Sequence, residues 1–271
     1  MQPHLDAYAG LNRLYLSQHA PEACEGRDID DPVMSGWLAA NLRDGARVLD
    51  AGCGLGFDML ALHRGLPVRN TSRRYEAFGA DYSADMLQDA QRLGLDSGIP
   101  AHHYVRASFA DLAEVTAWRS TMDAVTVNYA IYTQPEENSD YDTYLRMSLH
   151  GLASTLKPGG ALAINLRDWD ALKRAHTVGV AHAHSNTHGA QTFHCQYQWR
   201  FGTGRRHRST LSMWDDNGAS KVTDIWFAER STTEIGIALA GAGLTVVDQG
   251  HHGWGVNAFY TLIARKEPLC D

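Results

Sequence analysis

The sequence predicts a doubly wound α/β fold, in which helices cover both faces of a mostly parallel sheet. From residue 46 to residue 170, short apolar segments alternate with helical patterns, which is typical of such sheets. The first apolar segment ends in an acidic residue and a glycine-rich turn, at the position where open α/β sheets bind ligands. Farther along, apolar and polar residues alternate strictly, which predicts an inserted antiparallel unit.

Length and composition restrict the classes of protein and partner. A chain of 271 residues suffices for one large core with an inserted subdomain. The net charge of −7 argues against nucleic acid as the main partner, and no apolar run approaches the ~20 residues of a membrane span. The start of the chain lacks the charge and apolar run of a secretory signal, and the four cysteines form no CxxC pair. We therefore expect a cytoplasmic protein without a membrane partner.

Residues 1–45 precede the first strand of the predicted core. Leu5 to Tyr15 has the spacing of a short amphipathic helix. Asp30-Asp31-Pro32 predicts a second helix start, with Val33 to Leu42 as its body. This N-terminal helical segment is either a lid over a ligand beside the glycine turn or a cover for the sheet.

The glycine turn is the first candidate binding feature. A strand over Ala46–Leu49 leads into Asp50, and a helix is predicted over Phe57–Arg64. Glycine admits positive φ and lets a ligand approach the backbone, while the first amides of the helix remain free for polar ligand atoms. The turn between strand and helix contains Gly52, Gly54 and Gly56.

A second strand and helix follow the same pattern. The strand Glu76–Ala80 ends in Asp81, and a helix begins near Tyr82. An acidic residue at this point typically accepts hydrogen bonds from a ribose diol. Because Asp81 follows Gly56 by 25 residues, which exceeds the usual interval, we expect a loop insertion around residues 68–75.

The remaining elements complete the predicted sheet and its insert. Strands are predicted over Ala101–Arg106, Met122–Val127 and Ala161–Leu166, with a helix over Asp140–Leu156. Residues 46–170 therefore form the predicted core. The insert, residues 171–228, contains three antiparallel strands joined by glycine turns, and residues 229–271 return to the core with a helix and a closing hairpin. The elements after residue 190 are predicted at 193–201, 205–214, 220–228, 232–241, 244–248 and 258–264.

The ordered motifs VLDAGCGLG, GADYSADML, ASFADL, MDAVTV and LKPGGALAINL resemble those of class I S-adenosylmethionine-dependent methyltransferases. The resemblance covers residues 46–166. It implies a Rossmann-like seven-stranded methyltransferase sheet, S-adenosylmethionine as cofactor and S-adenosylhomocysteine as product. A dehydrogenase would more often carry GxGxxG.

A narrower resemblance concerns the acceptor. The segment Asn165–Asp170, the segment Leu14–Leu16 and the antiparallel insert are similar to glycine N-methyltransferases. This resemblance implies N-methylation of a small, amino-acid-like amine. The chain departs from that branch at Ala130, where an asparagine is expected, and glycine itself is therefore not indicated as the acceptor.

The resemblance implies a role for each residue of the cofactor site. The glycine turn would admit the methionine moiety, and Asp50 would orient this turn or meet the amino group, directly or through water. Asp81 would hold the ribose, while Phe109 would stack on adenine and Ser108 would serve its edge. Met86 and Phe109 have packing in the core as their alternative role. Tyr82 and Met86 would wall the adenine, and Asn128 and Tyr129 would border the methyl group.

The acceptor side rests on a second set of residues. Arg167 would hold an acceptor carboxylate in a bidentate pair, or else bridge to a neighbouring aspartate. Tyr15 would place its hydroxyl near the sulfonium methyl. Five histidines precede or enter the insert, mostly in what we interpret as an irregular loop, for which a metal site is not expected. A histidine acting as general base stays open. The five histidines are His176, His182, His184, His188 and His194.

Three functions remain open from the sequence. The first is N-methylation of a small-molecule amine, and the second is O- or C-methylation of a natural product in a larger aromatic pocket. The third is a regulator that binds S-adenosylmethionine without catalysis. Relatives with such inserts often associate, so a homo-oligomer is also left open.

Overall fold

The computed structural model describes residues 10–12, 29, 31–68, 71–134, 140–176, 182–188 and 191–268. Among these residues, no helix has both the length and the apolar character needed to cross a membrane. The helices are α1 Pro32–Asn41, α2 Phe57–Arg64, α3 Ala84–Asp96, α4 Tyr141–Thr155, α5 Trp169–Ala175 and α6 Thr232–Gly241. The strands are β1 Arg47–Ala51, β2 Leu66–Val68, β3 Thr71–Arg73, β4 Glu76–Asp81, β5 Tyr104–Arg106, β6 Met122–Val127, β7 Thr133–Gln134, β8 Leu156–Arg167, β9 His182–His188, β10 Gln191–Phe201, β11 Arg206–Asp215, β12 Ser220–Ala228, β13 Leu244–His252 and β14 Phe259–Lys266.

The main sheet has seven strands in the order β13-β14-β8-β6-β1-β4-β5. The adjacent strands β5, β4, β1, β6 and β8 pair in parallel. Strand β14 pairs antiparallel with both β8 and β13. This arrangement confirms the predicted α/β class. It also aligns the carboxyl ends of β1, β4, β6 and β8 along one edge of the sheet.

The central strands β1, β4, β6 and β8 are buried on both faces along most of their length, which explains why they are largely apolar. Successive residues of β1 point to opposite faces: Val48 belongs to a buried cluster with the α1 and α2 residues Met34 and Met59. Leu49 belongs to the cluster that contains Leu149 of α4. The helices are therefore layered on both sides of the sheet, as the alternation of elements predicts.

Local sequence signals account for the helix boundaries. Asp31 caps α1 by accepting hydrogen bonds from the N–H groups of Val33 and Met34, and Pro32 occupies the first turn. A reciprocal capping box of Ser231 and Glu234 begins α6. The loop insertion expected before β4 is present as the β2–β3 hairpin.

The second sheet is antiparallel and larger than the sequence predicts. It has five strands in the order β7-β12-β11-β10-β9, two more than the three expected. The histidine-rich stretch interpreted as an irregular loop was misread, because residues 182–188 form β9 and pair with β10. Strand β7 joins from outside the predicted insert. Inner residues of this sheet, such as Trp199 and Phe227, share one buried cluster with Leu166 of the main sheet.

Candidate functional site

A cavity of about 280 Å³ lies at the carboxyl ends of β1, β4 and β6. Its size is near the lower end of small-molecule pockets, about 300 Å³. The structure brings most of the predicted cofactor residues together on its wall. The lining residues are Asp50, Gly52, Cys53, Gly54, Leu55, Phe57, Asp58, Asp81, Tyr82, Met86, Ala107, Ser108, Phe109, Asn128, Tyr129, Ala130, Thr133 and Tyr144.

The glycine turn requires glycine for two separate reasons. Gly52 has φ +75°, and a Cβ atom there would lie 3.1 Å from Ala130 Cβ and 3.2 Å from Phe109 Cζ. Gly56 caps α2 with a left-handed backbone, and a Cβ there would lie 3.1 Å from Ala90 Cβ. Gly56 is absent from the cavity wall, so its observed contact is with α3.

Asp81 fastens the glycine turn to the end of β4. Its Oδ2 accepts a hydrogen bond from the Gly54 N–H at 2.8 Å, and its Oδ1 accepts one from the Ser83 N–H at 2.8 Å. The carboxylate is buried but still lines the cavity. Both main-chain segments beside the cavity are therefore oriented by this one side chain.

Asp50 carries a carboxylate oxygen that is buried without a partner. Its Oδ1 accepts a 3.4 Å hydrogen bond from the Thr126 hydroxyl, whereas Oδ2 has no hydrogen-bond partner. Burial raises the pKa of Asp50 well above its ordinary value, and the negative charge of Asp58 raises this pKa further. An unsatisfied buried oxygen is costly, and a ligand donor or cation in the cavity would satisfy this one.

The cavity wall is acidic. Asp50, Asp58 and Asp81 all line it, and its lining residues include no lysine, arginine or histidine in the described part of the chain. The thiol of Cys53 lies in the same acidic environment. Burial, and to a smaller extent the charge of Asp81, raise the pKa of this thiol well above its ordinary value. A cavity with this charge distribution attracts cationic groups.

Part of the cavity wall is apolar. Phe109 is 8% exposed and sits beside the glycine turn, with Met86 in the same buried cluster. Ser108 donates its hydroxyl to Asp111 Oδ2 at 2.6 Å. The described N-terminal residues contact α3 next to Met86, because Gly10 N–H donates to Asp85 Oδ2 at 2.9 Å.

The segment after β6 has an unusual backbone. Tyr129 has φ +56°, a left-handed conformation that costs a non-glycine residue on the order of 1 kcal/mol. Asn128 donates its Nδ2 to Asp58 Oδ2 at 2.9 Å. The Tyr129 ring meets Phe259 edge to face, with centroids 4.7 Å apart. These contacts hold Asn128 and Tyr129 against the cavity.

Arg167 lies outside the cavity wall, in a box of three aromatic rings. Its guanidinium carbon lies 4.7 Å from the ring centre of Phe259, 5.3 Å from that of Trp199 and 5.7 Å from that of Tyr132. Nη1 donates to the Val256 carbonyl at 2.7 Å, and Nε is buried without a hydrogen-bond partner. No described carboxylate lies within ion-pair distance of Arg167, so a bridge to Asp168 or Asp170 is not present there.

The site also contains residues that sequence reasoning missed. Asp58 lies in the first turn of α2, directly after the glycine turn, and this position was an available signal. Tyr144 lines the cavity from α4, and burial raises its pKa to about 12. Tyr15 lies outside the described residues. Across the described ranges, no group of three or more histidine, cysteine or acidic side chains is arranged to hold a metal ion.

Comparison with known proteins gives a consistent result. The family model described as "Methyltransferase domain" matches residues 42–202, more than half of the chain. A curated relative, the cypemycin N-terminal methyltransferase of Streptomyces sp, is 28% identical over 191 residues, which are 70% of this chain. The match spans 63% of that relative's own length.

Solved structures resemble the fold over nearly its whole length. An amino pentose methyltransferase from Micromonospora echinaspora, solved with SAM bound, is 18% identical with a TM-score of 0.60, covering 98% of this chain and 99% of the other. A sugar N-methyltransferase from Streptoalloteichus sp is 20% identical with a TM-score of 0.60, covering 88% and 89%. At these identities the likeness concerns the fold.

Proposed function

The chain belongs to the methyltransferase domain family, and we propose that it transfers the methyl group of S-adenosylmethionine to the amine nitrogen of a small acceptor. The observation that carries this proposal is the acidic cavity wall with the unpartnered Oδ2 of Asp50. Such a wall suits a ligand with an ammonium and a sulfonium. It also attracts an acceptor that arrives as an alkylammonium ion.

The residues on the wall fit the cofactor. Asp50 Oδ2 would accept a hydrogen bond from its amino group, and the cradle at Gly52, which a Cβ would fill, would admit the methionine moiety. Asp81, whose carboxylate lines the cavity, would accept hydrogen bonds from the ribose hydroxyls. Tyr82, Met86, Ser108 and Phe109 would surround the adenine, and Asn128 would border the methyl group. Gly56 would act through the shape of the turn.

The chain's part in the reaction is alignment and exclusion of water. When bound, S-adenosylmethionine supplies an activated methyl group for in-line displacement by a nucleophilic nitrogen. Tyr129 would border the reacting atoms and limit the directions of approach. The acceptor nitrogen must lose its proton before it reacts, and among the described residues no histidine or lysine lines the wall to accept that proton. Deprotonation would then take place before the acceptor is enclosed.

An amino-acid-like acceptor has a further source of support. Phe259 contacts both the Tyr129 ring and the Arg167 guanidinium. One aromatic ring therefore separates the cavity from a half-buried cation without a carboxylate partner among the described residues. We propose that Arg167 binds an acceptor carboxylate, as in the glycine N-methyltransferase-like branch, while the amine points to the acidic cavity. Tyr15 is retained as a proposed contact of the methyl group.

Nitrogen is supported as the methylated atom by two lines of argument. A curated relative is named for N-terminal methylation and a solved structure for sugar N-methylation. A phenol or alcohol would require a base such as histidine, and histidine is absent from the cavity lining in the described residues. The aromatic second sheet favours O- or C-methylation of a larger natural product as the second candidate.

Turnover with a panel of acceptors tests the proposal. The panel contains amino acids, amino sugars, simple amines and phenols, and S-adenosylhomocysteine formation is the readout. We expect turnover with an amine, and a KM for carboxylate-bearing amines that rises at least about tenfold in Arg167→Ala. Turnover only with phenols would favour the second candidate. Binding of S-adenosylmethionine without turnover on any member would favour the regulator, and an unchanged KM would refute the carboxylate role of Arg167.

The N-terminal segment is proposed as a lid on the adenine end. Leu11 is fully buried in the cluster that contains Met86, and Asn12 donates to Asp89 Oδ2 at 2.6 Å on α3. These contacts attach the described part of this segment to α3 beside the cavity. Removal of residues 1–12 is therefore expected to weaken binding of S-adenosylhomocysteine in calorimetric titration.

A further inference from the structure

A chain of hydrogen bonds connects the buried side chain of Asn165 on β8 to the cavity wall. Asn165 is 0% exposed. Its Oδ1 accepts a 2.6 Å hydrogen bond from the Tyr129 N–H, and its Nδ2 donates to Asn128 Oδ1. Asn128 in turn donates its Nδ2 to Asp58 Oδ2 at 2.9 Å. The chain therefore runs from the strained residue Tyr129 to a carboxylate on the cavity wall.

Only a side chain with both a donor and an acceptor completes this chain. Asn165 accepts a hydrogen bond from Tyr129 through its oxygen and donates one to Asn128 through its nitrogen. Asn128 likewise accepts through its oxygen and donates through its nitrogen, in its case to Asp58. On the same face of β8, two residues before Asn165, the side chain of Ala163 is buried in an apolar cluster. An apolar residue at position 165 would suit the core equally well, so the buried amide points to a requirement other than packing.

We infer that Asn165 is a positioning residue, which orients Asn128, Tyr129 and Asp58 for binding of the cofactor. The left-handed backbone of Tyr129 is unfavourable by itself, and the hydrogen bond to its amide stabilises it. The orientation of the Asn128 amide determines which of its atoms faces Asp58. This inference rests on the proposed cofactor site and concerns a residue that does not line the cavity.

Two substitutions separate positioning from packing. Asn165→Leu keeps the number and branching of the side-chain heavy atoms and removes both hydrogen bonds. Asn165→Asp keeps the acceptor for Tyr129, but its ionised oxygen repels Asn128 Oδ1. When protonated, the same carboxyl donates a hydrogen bond and restores both contacts. Burial raises the pKa of an introduced carboxyl, so recovery is expected on the acid side of neutrality.

Calorimetric titration with S-adenosylhomocysteine from pH 5.5 to 8.5 is the test, with each affinity divided by that of the wild type at the same pH. We expect Asn165→Asp to bind about tenfold more weakly at high pH and to approach the wild type at low pH. Asn165→Leu should stay weak throughout. Thr155→Val is the matched control, since Thr155 is fully buried at the end of α4 and outside the cavity wall, and this variant should bind normally.

Wild-type affinity in both Asn165 variants would overturn the inference. Equal weakening of both variants at every pH, without recovery of the aspartate, would also overturn it, because that result indicates packing alone. Exchange of the Tyr129 amide hydrogen supplies a ligand-free measurement, and it should be faster in Asn165→Leu than in the wild type. If the wild-type protein did not bind S-adenosylhomocysteine, the proposed cofactor site would be wrong. If the Tyr129 amide exchanged equally fast in Asn165→Leu and the wild type, the positioning role of Asn165 would be wrong.

Discussion

Replacing Asp50 by asparagine removes one charge from the cavity wall and nearly keeps the shape of the side chain. The carboxylate is 2% exposed and its Oδ2 has no hydrogen-bond partner, so its proposed partner is the amino group of the cofactor. A hydrogen bond between charged groups contributes about 1.5–3 kcal/mol. Asp50→Asn should therefore weaken S-adenosylhomocysteine binding about 10- to 150-fold, measured by calorimetric titration.

A second buried aspartate provides the matched control. Asp31 is fully buried and lies outside the cavity wall. Its side chain accepts hydrogen bonds from the N–H groups of Val33 and Met34 at the start of α1. Asp31→Asn keeps a side-chain oxygen that can cap α1, because asparagine and aspartate are about equally good N-caps, and it should leave the affinity unchanged. If Asp50→Asn bound S-adenosylhomocysteine as tightly as the wild type, the assignment of the amino group to Asp50 would be refuted.

Because the pKa of Asp50 is raised, its contact with the amino group should also be detectable as the release of a proton on binding. Burial raises this pKa in the free protein, whereas an ammonium ion beside the carboxylate would lower it. Between these two pKa values, binding should release a proton, and affinity should increase as the pH rises through that range. Calorimetry in two buffers of different ionisation enthalpy measures the release. Release that persists in Asp50→Asn would assign the proton to another group.

Three further predictions concern the turn and the core. Gly52→Ala should cost about 1–2 kcal/mol of stability and weaken S-adenosylhomocysteine binding. Gly218 also has a positive φ, +85°, but a Cβ there would have no neighbour within 4 Å, so Gly218→Ala should affect stability alone. Equal S-adenosylhomocysteine affinities of the two variants would contradict the role of Gly52. Burial lowers the pKa of His207 below its ordinary value of 6.5. The stability that neutral His207 contributes should therefore be present above pH 6.5 and be lost as the pH falls below that value. Greater stability to urea on acidification would contradict this prediction. Phe227→Ala, between the two sheets, should cost about 3–5 kcal/mol in the same unfolding assay, and a loss below about 1 kcal/mol would contradict the shared core.

Elements with strong local signals were predictable from the sequence. The bounds of α2, β6, β12 and α6 agree with the sequence prediction, because glycine turns, caps and apolar periodicity mark their ends. The cavity residues of the glycine turn and Asp81 were predictable for a related reason: the carboxyl ends of parallel strands meet at one edge.

Features that depend on tertiary pairing were not predictable. Strand β9 contains little apolar alternation, so its extended conformation depends on pairing with β10. Arg167 was correctly expected at the end of β8, but the aromatic box around it includes Trp199 from the second sheet, whose docking the sequence does not specify. Asn165 lay inside a recognised motif, yet its hydrogen bonds depend on the left-handed backbone of Tyr129, which local sequence patterns do not indicate.

The most direct test of the account is a crystal structure of the protein with S-adenosylhomocysteine. We predict that the amino group lies within hydrogen-bond distance of Asp50 Oδ2, that the ribose hydroxyls contact Asp81, and that the adenine lies against Phe109. The sulfur should point toward Asn128 and Tyr129. Density for the ligand in another part of the molecule, or in the opposite orientation with the adenine at Asp50, would contradict the proposed site.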